Sequence, residues 1–207
     1  MTKHLFLSII TFFYTFASHG QHIVFSQYTE TETGTTPKGV EIWNPSNTDI
    51  NLSTQPIKIF QGTNGGNPSQ RVLLAEGVLP AGAVYVVGSD SIRNYMSQNG
   101  LCEVLFKSKG FSFNGNDALQ LFLGDSLQDQ IGQIGNNPGT AWLANGVSTA
   151  NQILALLPGI TYGFTDTSTY FPNLRFNRLS AGSKLGGFGL APGATIQSLS
   201  IAGVKVV

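Results

Sequence analysis

The chain has 207 residues with 11 basic and 11 acidic side chains, so its formal net charge is zero when histidine is neutral. Only 11% of the residues are charged, against roughly a quarter in ordinary domains. A neutral chain without a basic run offers no electrostatic surface for nucleic acid or anionic lipid, and we expect neither as a partner.

The first twenty residues have the pattern of a secretory signal peptide. A short polar start precedes an apolar run over 5–16, and Ser18 and Gly20 place small residues at the cleavage positions. The apolar run is too short to span a bilayer comfortably, so we expect no stable membrane insertion. The sequence therefore predicts an exported protein, secreted or at the cell surface, with a single domain over 21–207.

The chain contains few cysteine and histidine residues that could serve in catalysis or metal binding. Cys102 is the single cysteine, and its place in an alternating LCEVLF segment predicts a buried small hydrophobe. After export only His22 remains of the three histidines. A zinc site needs three or four ligands and a nucleophilic triad needs a histidine base, so we expect no cofactor and no such enzyme.

The first half of the exported chain predicts short strands separated by turns. β-prone or alternating residues fill each segment, and Gly, Pro or Asn lie at the boundaries. We expect strands at 23–28, 39–44, 57–61, 71–74, 83–88 and 101–106. Within the second strand Val40 and Ile42 alternate with Glu41 and Trp43, which predicts that Trp43 is partly exposed on the opposite face.

One helix is expected, over 89–100. Ser89 or Asp90 is a suitable N-cap, and apolar residues recur at helical spacing. Asn99 and Gly100 supply a left-handed stop, after which the chain returns to a strand.

The stretch from Phe111 to Trp142 predicts the centre of a β-sandwich. Ala118 to Leu123 and Leu127 to Ile134 form an antiparallel hairpin around a Gly-Asp-Ser turn. Trp142 follows Pro-Gly and is expected to cover the core. The predicted core positions are Phe113, Leu119, Leu121, Ile131 and Ile134.

Several sequence blocks in this order resemble the lamin tail domain in its bacterial secreted form. The blocks are VFSQYTE, EIWNP, LPAG, FNGNDALQL, DQIGQIG and PGTAW, and together they cover 23–142. The resemblance implies an immunoglobulin-like sandwich. The turn signals every ~8–12 residues through Trp142 predict about seven to nine antiparallel strands, and the chain length predicts long loop insertions. The resemblance also implies an attached, non-catalytic module, and it names no ligand.

After Trp142 the pattern is weaker. Residues 149–157 have no clear period and fit either a short helix or a strand. The resemblance implies a basic strand near the end of the domain, and 173–179 fits it better than 148–154 because Arg175 and Arg178 lie there. Residues 186–193 predict a glycine-rich link, and 195–207 predict a last strand.

The turn that contains Asn114, Asn116 and Asp117 is a weak calcium candidate. Its side chains supply oxygen ligands, but the spacing is not that of an EF-hand and no Glu closes it. Turn geometry alone selects Asn and Asp at such positions, so we favour a structural turn. Asp125 is expected in the hairpin turn, and Asp129 is expected to face solvent.

Three functions remain open from the sequence. The first is a secreted interaction or structural module that binds a protein or a glycan at the cell surface. The second is a carbohydrate-binding module, and the third is a small hydrolase based on carboxylates. The candidate contact residues are aromatic, and the last four of them either bind a partner or cover one end of the sandwich. They are Trp43, Tyr162, Phe164, Tyr170 and Phe171.

Overall fold

The structure, a computed structural model, describes residues 20–30, 37–166, 169–179 and 185–194. In this part of the chain two β-sheets pack on one apolar core, and a nine-residue helix lies beside them. The helix α1 spans Asp90–Gln98. The strands are β1 (Val24–Thr29), β2 (Gly39–Trp43), β3 (Ile50–Asn51), β4 (Ile57–Gly62), β5 (Ser69–Leu74), β6 (Val78–Leu79), β7 (Val84–Gly88), β8 (Leu105–Ser108), β9 (Ala118–Leu123), β10 (Ser126–Ile131), β11 (Leu143–Ala144), β12 (Val147–Ser148), β13 (Ile153–Leu156) and β14 (Phe176–Arg178).

The larger sheet has the order β14-β13-β1-β2-β7-β8, and the smaller sheet has the order β10-β9-β4-β5. Neighbouring strands are antiparallel except β7 and β8, which run parallel because α1 carries the chain back between them. Two further pairs, β3–β6 and β11–β12, are short. The predicted all-β sandwich with one short helix is confirmed, although the two large sheets already contain ten strands in the described residues.

The β9–β10 hairpin forms as predicted and supplies one edge strand, β10, and one inner strand, β9, of the smaller sheet. Gly124 adopts a left-handed φ of 59° in its two-residue turn, a conformation that glycine adopts without steric cost. Phe113, Leu119, Leu121 and Ile131 are fully buried, whereas Ile134 is only half-buried because β10 ends before it. The predicted phase is therefore correct at Leu119, Leu121 and Ile131.

Asp129 was expected to face solvent, and this expectation is wrong. Asp129 lies opposite Leu121 and two residues before Ile131, so its side chain points to the same inner face as theirs. Its exposed fraction is zero. The carboxylate is tolerated there because Arg175, 46 residues later in the chain, pairs with it.

Cys102 was expected to be buried in a strand, and this expectation is also wrong. The strand begins only at Leu105, and Cys102 lies in the turn that follows α1, where it is exposed. Leu101 takes the buried position instead. The alternating pattern of LCEVLF predicted a strand over the whole segment, but only its last two residues belong to β8.

The outer face of the larger sheet is covered rather than open to solvent. Residues 185–194, which we call the strap, lie over this face beside α1. Phe188 of the strap is completely buried in a second apolar cluster with Val86 and the helix. Glu41 alternates with Val40 as predicted, but it too is fully buried because its face is covered by the strap.

The end of the described chain completes the larger sheet. The undecided segment 149–157 contains β13, which pairs with β1, and the favoured segment 173–179 contains the edge strand β14. Residues 1–19, with most of the predicted signal peptide, and the predicted last strand at 195–207 lie outside the described residues.

Candidate interaction surface

A buried ion pair fixes residues 160–166 and 169–176 to the sandwich. Asp129 accepts hydrogen bonds from the backbone N–H groups of Phe25 (2.8 Å) and Phe164 (2.9 Å). Arg175 donates through both terminal nitrogens, with Nη2 at 2.9 Å from Oδ2. Since a bidentate arginine–carboxylate pair has a defined geometry, the backbone on both sides of it is held in place.

Two of the four aromatic residues in these ranges belong to the core. Tyr170 is only 4% exposed, and its ring makes edge contacts with Trp142 at 6.2 Å and with Phe164 at 5.7 Å between centroids. Phe164 is half-buried and packs on the same cluster. Trp142 is buried, as predicted for a residue that covers the core. Tyr170 is therefore unavailable as a contact residue.

The other two aromatic residues are exposed. Phe171 is 48% exposed at the start of the 3₁₀ turn Pro172–Leu174, and the β11–β12 hairpin lies against this turn. Leu143 of β11 and Leu174 of the turn are 67% and 64% exposed. We call Leu143, Phe171 and Leu174 the apolar patch. Large apolar side chains grouped at the surface are typical of interaction sites.

Local sequence explains why the patch is presented to solvent. Asn145 and Gly146 both have positive φ, the requirement of the tight turn that joins β11 to β12. Pro172 begins the 3₁₀ turn, where its missing N–H is not needed. Sequence reasoning missed Leu143 and Leu174 because neither belongs to an alternating or helical period.

Tyr162, the other exposed aromatic residue, forms a stack with the N-terminal segment. Its ring is parallel to that of His22, with centroids 4.8 Å apart and planes inclined by 8°. Tyr162 remains 56% exposed, so the pair presents a flat aromatic surface. The backbone carbonyl of Tyr162 lies 3.5 Å from Arg175 Nη2, which places the stack beside the buried ion pair.

Trp43 is half-buried, in agreement with its predicted partial exposure. Its ring packs against the main core, and its indole N–H donates to the carbonyl of Gly82 at 3.1 Å. A Trp held in this way presents only part of its ring to a ligand. The structure does not bring Trp43 together with the aromatic residues of 162–171 in any ring contact between described residues.

Two of the three residues of the candidate calcium turn, Asp117 and Asn114, have side-chain oxygens that accept hydrogen bonds from N–H donors. Asp117 is buried and accepts from Gln61 Nε2 at 3.1 Å, from Asn64 N at 2.8 Å and from Asn114 N at 3.0 Å. Asn116 donates its amide to Asn64 Oδ1 at 2.7 Å. The Oδ1 atom of Asn114 lies 3.2 Å from the ammonium of Lys38, a cation that would oppose a metal ion at this position. These contacts fit a structural turn.

A hydrolase based on carboxylates would have to use acidic residues such as Asp117, Asp125 and Asp129, and these three do not form a common site. Asp117 and Asp129 are each engaged in separate buried networks, and Asp125 is exposed and pairs with Lys58 at 2.7 Å. This ammonium lowers the pKa of the Asp125 carboxyl. In the described part of the chain no three His, Cys, Asp or Glu side chains are grouped in a way that could hold a metal ion.

No protein-family model matches the chain, and neither a curated protein nor a solved structure matches it. No helix within the described ranges is long and apolar enough to cross a bilayer.

Proposed function

We propose that the chain is a secreted, non-catalytic binding module of the lamin tail type, which contacts a protein partner through the apolar patch. The observation that carries the proposal is the exposure of Leu143 and Leu174, each near two-thirds, on a scaffold fixed by the buried Asp129–Arg175 pair. The order of the sequence blocks over 23–142 and the β-sandwich fold support the family assignment.

The chemistry of the surroundings indicates the kind of partner. Arg175 is committed to Asp129, whereas the exposed Arg178, four residues after Leu174, has no ion pair among the described residues. An apolar patch near an unpaired guanidinium fits a protein surface of apolar side chains bordered by a carboxylate. Contacts of this kind are made by residues on short loops, which a rigid scaffold holds in place.

Replacement of Leu143 and Leu174 by Ser tests this proposal. Both side chains are largely exposed, so the double variant should melt within about 2 °C of the parent protein, since surface changes alter stability by only ~0.5 kcal/mol. A matched control replaces Leu73 and Val78, which are 48% and 44% exposed on other strands.

The measurement is capture of cell-surface proteins by immobilised residues 21–207, followed by titration of whichever protein the parent retains. We expect the patch variant to lose at least tenfold in affinity and the control to bind like the parent. Equal affinity of all three proteins for the captured partner would overturn the proposal.

A carbohydrate-binding module is the second candidate, and the His22–Tyr162 stack is the observation that favours it. A flat, exposed aromatic surface can receive the apolar face of a sugar ring. On a glycan array, binding that disappears on Tyr162→Ala and survives the double serine variant would support this function over the first. Loss of the same signal on Trp43→Ala would place the sugar at Trp43 instead.

A further inference from the structure

The strap is seated in a groove between α1 and the outer face of the larger sheet. Phe188 has an exposed fraction of zero and fills a cluster with Val86, Ile92, Met96 and Leu101. Because Val86 is the β-ladder partner of Glu41, both side chains belong to this outer face. The floor of the groove is therefore apolar around Phe188 and carries a carboxyl group beside it.

Glu41 bonds directly to the strap. Its Oε2 atom accepts from the backbone N–H of Gly189 at 2.6 Å, and its Oε1 atom accepts from the hydroxyl of Ser26 at 2.7 Å. On the helix side, the N–H of Gly187 donates to the hydroxyl of Tyr95 at 3.3 Å. The strap is thus held by one buried carboxyl, one phenol and one aromatic side chain.

Glycine is required on both sides of Phe188. Gly187 and Gly189 have φ of 94° and 91°, which side chains rarely allow. A Cβ atom at Gly187 would lie 2.7 Å from Nε2 of Gln27, and one at Gly189 would lie 3.1 Å from Leu101. The Gly-Phe-Gly sequence therefore lets the backbone approach the sheet closely enough to reach Glu41.

We propose that the strap is a reversible cover, closed when Glu41 is protonated, over a groove that binds an aromatic side chain on a glycine-rich extended peptide. The chain itself supplies such a segment, so the groove is occupied in the closed state by Phe188. Ionisation of Glu41 favours release of the strap because only release lets water reach the carboxylate.

The groups that face Glu41 supply no compensating charge. β1 contributes Ser26 and Gln27, and the strap contributes the N–H groups of Gly189 and Leu190. The helix α1 contacts the strap through the hydroxyl of Tyr95. Burial is the main cause that raises the pKa of Glu41 from 4.5 to about 8, and the hydrogen bonds lower it by less. No charged side chain contributes to this pKa shift.

The direction of the pH effect follows from linkage. A carboxyl that binds its proton more tightly in the closed state than in the open state favours closure at low pH. As the pH rises towards about 8, the closing equilibrium should fall by as much as tenfold per pH unit. The strap should therefore open in alkaline conditions.

Hydrogen exchange measured between pH 5 and pH 8.5 tests the proposal, with rates corrected for the intrinsic pH dependence of exchange. The reporters are the amides of Phe188, Gly189 and Leu190. In the parent protein their protection should fall with rising pH, whereas in Glu41→Gln, which keeps a neutral side chain of the same shape, it should stay constant. Ile59 and Leu119 in the smaller sheet should remain protected in both proteins.

A pH-independent protection of the strap in the parent protein, equal to that in the variant, would overturn the proposal. If Glu41→Gln does not fold, NMR of the parent protein can test whether opening of the strap is linked to ionisation of Glu41. The Glu41 carboxyl signal and the strap amide signals should then titrate with one shared midpoint. A carboxyl that titrates while the strap signals stay fixed would contradict the proposal.

The groove itself is tested with Phe188→Ala and a synthetic peptide of residues 185–192, LGGFGLAP. The peptide should bind the variant, whose groove no longer holds the ring of Phe188, and should bind the closed parent protein at least tenfold more weakly at pH 6. The same peptide with Ser in place of Phe is the control. Equal binding of the two peptides to the variant would show that the groove does not select an aromatic side chain.

Discussion

Asp129 shows how a single residue connects distant parts of this fold. Its carboxylate accepts hydrogen bonds from β1, from the segment before Tyr170 and from Arg175, so three chain segments meet at one side chain. A buried pair of this kind adds little over an apolar pair, but removal of one partner leaves an uncompensated charge. Asp129 therefore matters for stability mainly because its loss would leave the buried Arg175 guanidinium without a counter-charge.

Asp129→Asn should destabilise the protein by about 3–5 kcal/mol, because the buried Arg175 guanidinium would lose its counter-charge. The measurement is urea denaturation at pH 7. Asp125→Asn is the matched control, since its exposed pair with Lys58 is screened by water and its loss should change stability far less. Similar decreases in the free energy of unfolding of the two variants would show that the buried pair contributes no more to stability than the exposed pair.

The sequence predicted which residues share a face better than it predicted what covers that face. The phases of Leu119, Leu121 and Ile131 were correct because alternation within one hairpin is local information. The burial of Glu41 was not predictable, because the strap that covers it comes about 150 residues later. Asp129 was predicted to be exposed because it is charged. Its pairing with Arg175 could not be predicted, because the two residues lie 46 positions apart in the sequence.

At the scale of elements, the smaller sheet tests the assignment of inner and outer faces. Leu121 of β9 is fully buried between the sheets, whereas Leu73 of β5 is 48% exposed. Leu121→Ala should cost about 2–5 kcal/mol, the usual range for a buried leucine, and Leu73→Ala should cost under ~0.5 kcal/mol. Thermal or urea denaturation of the two variants measures this difference, and a reversed order would mean that the faces are exchanged.

Residues 160–166 and 169–176 include packed and exposed aromatic side chains, which the sequence did not separate. Aromatic residues at 162, 164, 170 and 171 have no period, and the positions that turn inward depend on the anchor at Asp129. Tyr170 packs and Tyr162 does not, although both were candidates for the same surface. The candidate site was therefore predictable as a region, and its individual contact residues were not.

Substitutions at Tyr170 and Tyr162 should distinguish the packed side chains from the exposed ones. Tyr170→Ala should lose about 3–5 kcal/mol because its ring fills the core beside Trp142. Tyr170→Phe should be neutral or slightly stabilising, because the buried hydroxyl has no hydrogen-bond partner and burial raises its pKa. Tyr162→Ala should change the free energy of unfolding by less than ~1 kcal/mol, since the ring is mostly exposed. Denaturation curves of all three variants provide the measurement, and an equal loss at both tyrosines would show that both rings belong to the core.

For the whole molecule, the buried carboxyl of Glu41 predicts how stability depends on pH. Its folded-state pKa, about 8, lies above the ordinary value of 4.5, so the native state binds a proton that the unfolded state releases. The resulting stabilisation is complete below pH 4.5 and is lost as the pH rises through about 8. The free energy of unfolding should thus decrease by up to ~1.4 kcal/mol per pH unit across this interval.

Glu41→Gln, which cannot ionise, should remove this part of the slope and should be more stable than the parent protein at pH 8. Urea denaturation of both proteins at pH 5, 6.5 and 8 gives the comparison. Parallel pH profiles would show that Glu41 keeps the same protonation state on folding and unfolding.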